Sequence, residues 1–339
     1  MHSFLIRSAR ARDAADLRRL ARSAGPCFLG GSADLSRLLR DSEPSFAGSL
    51  SALEEGVYLF VLEDGDSGRA VGASVLFAKR GRPGRPFAYF SSFVETRTSL
   101  TLNRTVKHRC LRLGATEDGP TMLGAVFVPP GLRGRKEKLE EALCAVRLLF
   151  MAAHLDRFQT HVLTSFPSRT SSGCVSPFWD ALGRPFTGLD RGRAEKLSGA
   201  NKEFLLSLIP QGTIYQEFLP EKVVAGLGRP ADSMRALERL LAGMGFRYLH
   251  QLEPFDGGPC YGTLTREVGL IRAARQLQCQ STDARPSGTS FLVLSEDGSG
   301  VRALVAPVRF QGVQASLEGE AARKLGLKAG DWFWAAPLP

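Results

Sequence analysis

The chain has 339 residues, 43% of them hydrophobic and 23% charged, with a formal net charge of +10. Apolar residues spread along the whole length exclude a disordered chain and call for one large or two ordinary domains. No apolar run reaches the ~20 residues of a membrane helix and no N-terminal stretch reads as a secretory signal, so a cytoplasmic protein with no membrane contact is expected. Leu5 and Ile6 open a strand. Asp13 stands at a helix N-cap with Asp16 three residues on. Leu17, Leu20, Ala21 and Ala24 then recur at helical spacing until Gly25-Pro26. Val57 to Leu62 is a buried-strand run, residues 64–68 are turn chemistry, and Val71 to Phe77 returns as the partner strand. Arg80 to Pro86, rich in Gly and Pro, is an exposed loop.

Phe87 to Val94 reads as a third strand and Met122 to Val128 as a fourth, closed by Pro129-Pro130-Gly131. Leu139, Leu143, Val146 and Phe150 predict a long helix after that loop, and His161 to Phe166 a further strand. Ser176-Pro177 has the form of a capped helix start, with Gly183 as its stop. Met234, Leu237, Leu240 and Leu241 give another helix, ended by Gly245 before the strand Phe246 to Leu252. Past Ser281 the character changes. Residues 282–288 read as a linker, and strands at Phe291 to Leu294 and Val301 to Val308 precede an aromatic end at Trp332 to Trp334. Two domains are therefore expected: a mixed α/β unit over 1–281 and a small β-barrel-like unit over 288–339.

Six cysteines, far apart and without a Cys-x-x-Cys pair, indicate neither a disulfide framework nor a zinc site, and no metal is expected. The positive charge suits nucleic acid or a phosphorylated small ligand. Its densest cluster, Arg133, Arg135, Lys136 and Lys138, is short and runs straight into Glu140 and Glu141. A polynucleotide track would be longer and interleaved with aromatics, so nucleic acid ranks second. A basic loop between a strand and a helix N-terminus is instead a good place for a pyrophosphate, because the N–H groups there are unpaired and the helix dipole favours anions.

The order of elements resembles the acetyltransferase-like (GNAT-type) fold that binds coenzyme A, where the fourth strand pairs with the pantetheine arm. Several stretches resemble the arginine N-succinyltransferase family in particular. They are Ile6-Arg7 through Asp16-Leu17, Val61 to Asp64 with Ser67-Gly68, and Phe150 to Ala153 with Asp156-Arg157-Phe158. Ser176-Pro177-Phe178-Trp179 with Leu182-Gly183 and Phe186, Ile214-Tyr215, and Gly245-Phe246-Arg247-Tyr248 leading into Phe255-Asp256-Gly257-Gly258-Pro259 are more specific. All lie in the family's order.

The resemblance implies transfer of succinyl from succinyl-CoA to the α-amine of arginine, in arginine catabolism, by an enzyme that self-associates or pairs with a paralogous subunit. The alternatives are another cationic acceptor such as ornithine, or a non-catalytic CoA-binding subunit. The cofactor-binding candidates are Phe127, Val128, Arg133, Gly134, Arg135 and Lys136. Lys136 and Lys138 stand where the family has glycines, and a Lys at positive φ costs energy. Arg229, before Pro230, stands where the family carries its proposed proton donor, a His. An arginine does not exchange protons but can stabilise an oxyanion or thiolate, which leaves His250 as the candidate replacement acid or base. Asp256 and Glu253 are the candidates for holding the cationic acceptor, with capping of the local turn as the alternative for Asp256.

Overall fold

The computed structural model describes residues 4–24, 32–49, 55–134, 138–173, 175–200, 202–281, 289–298 and 300–338. The expected linker at 282–288, Gly25-Pro26, Cys174, Arg135 and Lys136 lie outside the described residues. The architecture is a mixed α/β fold on one sheet. Strand β1 (Phe4–Ser8) leads through helices α1 (Ala14–Ala24) and α2 (Ser32–Phe46) to the antiparallel strands β2 (Val57–Asp64) and β3 (Ala70–Phe77). A long hairpin follows, β4 (Phe87–Ser99) and β5 (Arg104–Thr116), then β6 (Thr121–Phe127), α3 (Leu139–Ala153) and β7 (His161–Ser165). Short helices α4 (Arg184–Thr187), α5 (Arg191–Ala200) and α6 (Glu203–Leu208), the two-residue strand β8 (Ile214–Tyr215) and α7 (Glu221–Val224) lead to α8 (Arg235–Gly243). Strands β9 (Arg247–Leu252) and β10 (Pro259–Leu264), helix α9 (Gly269–Ala273) and β11 (Arg275–Ser281) complete the first part. Strands β12 (Ser290–Asp297), β13 (Gly300–Pro307), β14 (Arg309–Gln311) and β15 (Gln314–Ser316), helix α10 (Gly319–Leu325) and β16 (Trp332–Pro337) end the chain.

The strand order is β14-β15-β11-β16-β12-β13-β1-β2-β3-β6-β7-β10-β9-β4-β5-β8. Among these pairings only β6 with β7 and β11 with β15 are parallel. The parallel β6–β7 pair is the crossover that a connecting helix must bridge, and α3 does so, buried along almost its whole length against the sheet. That burial explains its weak amphipathic signal: a helix inside the core is apolar all round. Its one internal cation, Arg147, is buried and satisfied by the carbonyls of Gly124 (2.8 Å), Val75 (3.3 Å) and Cys144 (3.2 Å).

The C-terminal strands are hydrogen-bonded into the same sheet, since β13 pairs with β1 through Ile6↔Ala303 and Arg7↔Arg302. They also enclose their own apolar cluster, including Val293, Leu304, Leu325 and Phe333, to which β11 contributes Leu277 and Cys279. The small core therefore draws on residues N-terminal to the expected linker.

Three local features differ from the sequence reading. Strand β5 and the outer half of β4 form a ribbon whose polar, half-exposed residues carry little burial signal. Helix α2, to which the sequence reading assigns no element, carries Pro44 inside it, a residue type that kinks or breaks most helices. The helix begun at Ser176, whose Oγ accepts the Trp179 N–H at 3.1 Å, passes through Gly183 in a π-turn and ends at Gly188, φ +68°. Gly183 is there for space, because a Cβ would lie 2.2 Å from the Trp179 ring. Phe178 and Trp179 themselves are core residues, packed on Phe90 and Phe255.

Candidate functional site

The pairing of β6 with β7 stops at Leu123↔Thr164, while β6 continues to Phe127 and β7 turns its end toward β10 through Ser165↔Cys260. From Gly124 onward, β6 has no ladder partner on its β7 side among the described residues. Such a splayed parallel pair exposes N–H and C=O groups to any extended ligand laid between the strands. Phe127 and Val128 are buried at the end of β6. Pro130–Leu132 then makes a single tight turn, and Arg133 folds back on it. Arg133 Nε donates to the Val128 carbonyl at 2.7 Å, and the guanidinium stands 5.8 Å from the Phe127 ring centroid and 3.7 Å from Glu140. Gly134 takes φ +66° with open space where a Cβ would be. Lys138, the N-cap residue of α3, is left-handed as well, φ +49° and ψ +48°. The strain expected of a Lys at a glycine position is therefore present at Lys138, and Gly134 supplies the permissive turn.

Arg229 and His250 come together. A cavity of about 560 Å³ is lined by residues 92–94 of β4, Arg109 of β5, Gln216, Val224, the 227–229 turn, and Tyr248 and His250 of β9. Its origin is a bulge. Tyr248 pairs with Tyr261 and Leu252 with Pro259, so four steps along β9 match two along β10. His250, at the centre of the bulge, has φ +56°. A non-glycine residue held at positive φ is strained and persists only where its surroundings impose it. On the other side β9 pairs with β4 at Phe90↔Leu252 and Ser91↔Gln251 and no further, which opens the cavity at Ser92. The Tyr248 ring packs on the imidazole of His250 at 4.8 Å between centroids. Burial, and then the neighbouring Cys260, push the Tyr248 hydroxyl above its ordinary pKa, so it is a proton-bearing donor at neutral pH.

Asp256 and Glu253 do not line this cavity. Asp256 is buried, and its carboxylate accepts the N–H groups of Ser168 (3.0 Å) and Gly258 (2.7 Å), with Arg191 at 3.8 Å. A Cβ at Gly258 would stand 2.0 Å from the Phe166 carbonyl, so the glycine admits the passing chain. The Gly228 N–H donates to the Gly257 carbonyl, and the Arg229 carbonyl accepts from the Arg169 N–H. The Phe255-to-Pro259 motif is thus a clamp that seats residues 166–169 beside Arg229, with Asp256 holding the Ser168 N–H. The alternative capping role is the one the geometry displays.

Glu253 is half-buried, and its Oε2 accepts the Phe255 (2.7 Å) and Asp256 (3.1 Å) N–H groups. Burial, then the charge of Asp256, push its carboxyl up to about 8. Lys202, pulled down to about 8 by burial and then by Arg80, lies nearby with its Nζ 5.7 Å and 5.9 Å from the Phe87 and Phe255 ring centroids. Burial raises the thiols of Cys144 and Cys260, which stay protonated.

Sequence reasoning missed Arg109, Ser92, Gln216 and the part played by Tyr248. Tyr248 and Gln216 sit in or beside motifs that had been singled out, at Gly245-Phe246-Arg247-Tyr248 and Ile214-Tyr215. Arg109 carried no local signal, and only the β4–β5 register, Val94↔Arg109, brings it to the cavity.

Among the described residues there is no group of three or more His, Cys, Asp and Glu that could hold a metal ion, and no helix is long and apolar enough to cross a membrane. Comparison with known proteins gives one consistent result. The profile of the family described as arginine N-succinyltransferase beta subunit matches residues 4–270. Arginine N-succinyltransferase from Yersinia enterocolitica is 30% identical over 286 residues, covering 84% of this chain and 82% of the relative. The subunit alpha of the Pseudomonas aeruginosa enzyme is 32% identical over 280 residues, 81% of each chain. The solved structure of the arginine/ornithine succinyltransferase subunit AI from Pseudomonas aeruginosa superposes with a TM-score of 0.85 at 28% identity, covering 100% of both chains.

Proposed function

Because the chain belongs to the arginine N-succinyltransferase family, we propose that it is a cytoplasmic acyltransferase moving succinyl from succinyl-CoA to the α-amine of arginine, within an oligomer of like or paralogous subunits. The observation that carries this reading is the splay of β6 from β7 after Leu123↔Thr164, continuous with the Gly134 turn and the start of α3. An extended thioester arm fits along the unpaired edge of residues 124–127, and its pyrophosphate falls at the turn, where Gly134 lets the backbone approach. Arg133, tied to Val128, holds that turn in shape and contributes charge.

The reaction is a direct attack. The neutral α-amine adds to the thioester carbonyl carbon, negative charge develops on the carbonyl oxygen, and the C–S bond then breaks with transfer of the ammonium proton toward the departing sulfur. Arg229 offers a fixed cation to the developing charge, and His250 is the group beside it able to take up and return a proton. Glu253 has one oxygen on backbone N–H groups and the other without a hydrogen-bond partner among the described residues, so it is the acidic group offered to the cationic end of the acceptor, whose charge would favour its ionised form. The test is thiol release by purified protein from succinyl-CoA with arginine. Ornithine belongs in a parallel well, since the structural relative is described as acting on both. Release that depends on an amine, weakened in His250→Ala at unchanged succinyl-CoA affinity, supports the assignment. No release with either amine refutes it.

A further inference from the structure

We propose that the cavity between β4, β5 and β9 receives the distal carboxylate of the acyl group, with Arg109 as its anchor and Arg229 beside it, and so selects a dicarboxylic acyl donor over a simple one. This rests on the acyltransferase reading above. The argument begins with charge. Three of the lining residues, Arg109, Arg229 and His250, are of basic type, and among the described residues no carboxylate lines the space. The acids adjacent in sequence to lining residues are already engaged. Glu95 accepts from Tyr215 at 2.6 Å and Arg97 at 3.0 Å, and Glu217 meets His108 at 3.1 Å.

The two arginine side chains have no hydrogen bond or ion pair among the described residues. Arg109 and Arg229 are exposed and so open to a ligand, whereas Arg7 is matched with Asp13 and Glu63, Arg191 with Glu195 and Asp256, and Arg147 with carbonyls. Two unmatched guanidiniums turned to one cavity make a site for an anion, and the planar fork of an arginine suits a carboxylate.

The reaction offers two carboxylates. That of the acceptor is borne on the carbon that carries the α-amine, whose protonated form the cationic walls repel. That of a succinyl group stands two methylenes from the reacting carbonyl with no cation attached, and this matches a cavity of one sign. The remaining walls, including Val94, Leu227 and the Tyr248 ring, suit methylenes, and the Tyr248 hydroxyl adds a neutral donor.

The experiment compares succinyl-CoA with butyryl-CoA, which has the same chain length and a methyl end, at saturating arginine. Wild type, Arg109→Gln, Arg109→Lys and the neighbouring Lys107→Gln are measured. Loss of a carboxylate–guanidinium contact predicts that the succinyl-to-butyryl ratio of kcat/KM falls by about 5-fold in Arg109→Gln, the upper end for a pair with an exposed arginine. The ratio recovers in part in Arg109→Lys and holds in Lys107→Gln, which keeps Arg109. An unchanged ratio in Arg109→Gln overturns the proposal, as does equal loss on both donors. A loss confined to the KM for arginine and absent with agmatine, which lacks the α-carboxylate, would assign the cavity to the acceptor and overturn it too. Calorimetric binding of the two acyl-CoAs to the same proteins reads the preference without turnover. Wild type that binds succinyl-CoA more tightly than butyryl-CoA through Arg109, yet acylates neither amine, would refute the activity and leave this site standing.

Discussion

Gly228 joins the clamp to the cavity lined by Arg229 and His250, and Gly228→Ala separates two costs that the structure lets one calculate. Its φ is +64°, where a Cβ costs about 1–2 kcal/mol. The new methyl would stand 2.8 Å from the Tyr248 Oη and 3.3 Å from its Cζ, and forcing a methyl into a packed contact costs about 1–3 kcal/mol. The sum is about 2–5 kcal/mol, read as a lower urea midpoint at unchanged slope. If Arg229, the next residue, serves the reaction as proposed, turnover should also fall by about 10-fold or more, because small misplacements of a catalytic group are expensive. Tyr248→Phe removes the oxygen and leaves the 3.3 Å approach, which a small shift absorbs. In the double variant the steric share is recovered and the backbone share is not, so the cycle shows a coupling of about 1 kcal/mol or more. A loss under about 1 kcal/mol in Gly228→Ala, or strict additivity with Tyr248→Phe, would refute this account.

Three further outcomes are expected. Lys138→Gly relieves a left-handed side chain at a smaller entropic cost, and so raises stability by about 0.5–1 kcal/mol in urea unfolding; a drop would show that the Lys138 side chain does more than tolerate its φ. Because the folded protein holds the Glu253 proton up to about 8 while the unfolded chain releases it near ~4.3, this group's contribution is full below the lower value and is lost as pH rises toward the upper. Glu253→Gln should flatten the decline of thermal stability across that window, and a parallel decline in both proteins would contradict the burial argument. Asp13 has the opposite sign. Burial alone would raise its pKa, but Arg7 at 2.7 and 2.8 Å and the Arg10 N–H hold it below the usual carboxylate range. Its contribution is present above ~4 and disappears on acidification. Asp13→Asn, which leaves Arg7 only Glu63 and a carbonyl, should cost about 3–5 kcal/mol at neutral pH and less at pH 3.

The sequence by itself determined the order of the central elements, because each is written in local periodicity. Leu139, Leu143, Val146 and Phe150 mark α3, the runs from Val57 and Val71 mark the first hairpin, and the residues from Phe246 mark β9. It also marked the turn at Gly134 and the motifs from Gly245 to Pro259, where backbone geometry demands particular residue types. What those motifs do was decided by tertiary structure. Asp256 reads as an exposed loop carboxylate until the chain after β7 supplies the Ser168 N–H that buries it. His250 alternates like any strand residue until pairing with β10 forces a bulge and a positive φ on it. Arg109 sits on a ribbon with no burial pattern, and it meets Arg229 and Tyr248 only because β4 and β9 pair for two residues and then part. Periodicity reports which face of an element is buried. It carries nothing about which distant element covers that face, since register and bulges are settled by packing and hydrogen-bond satisfaction between segments far apart in the chain.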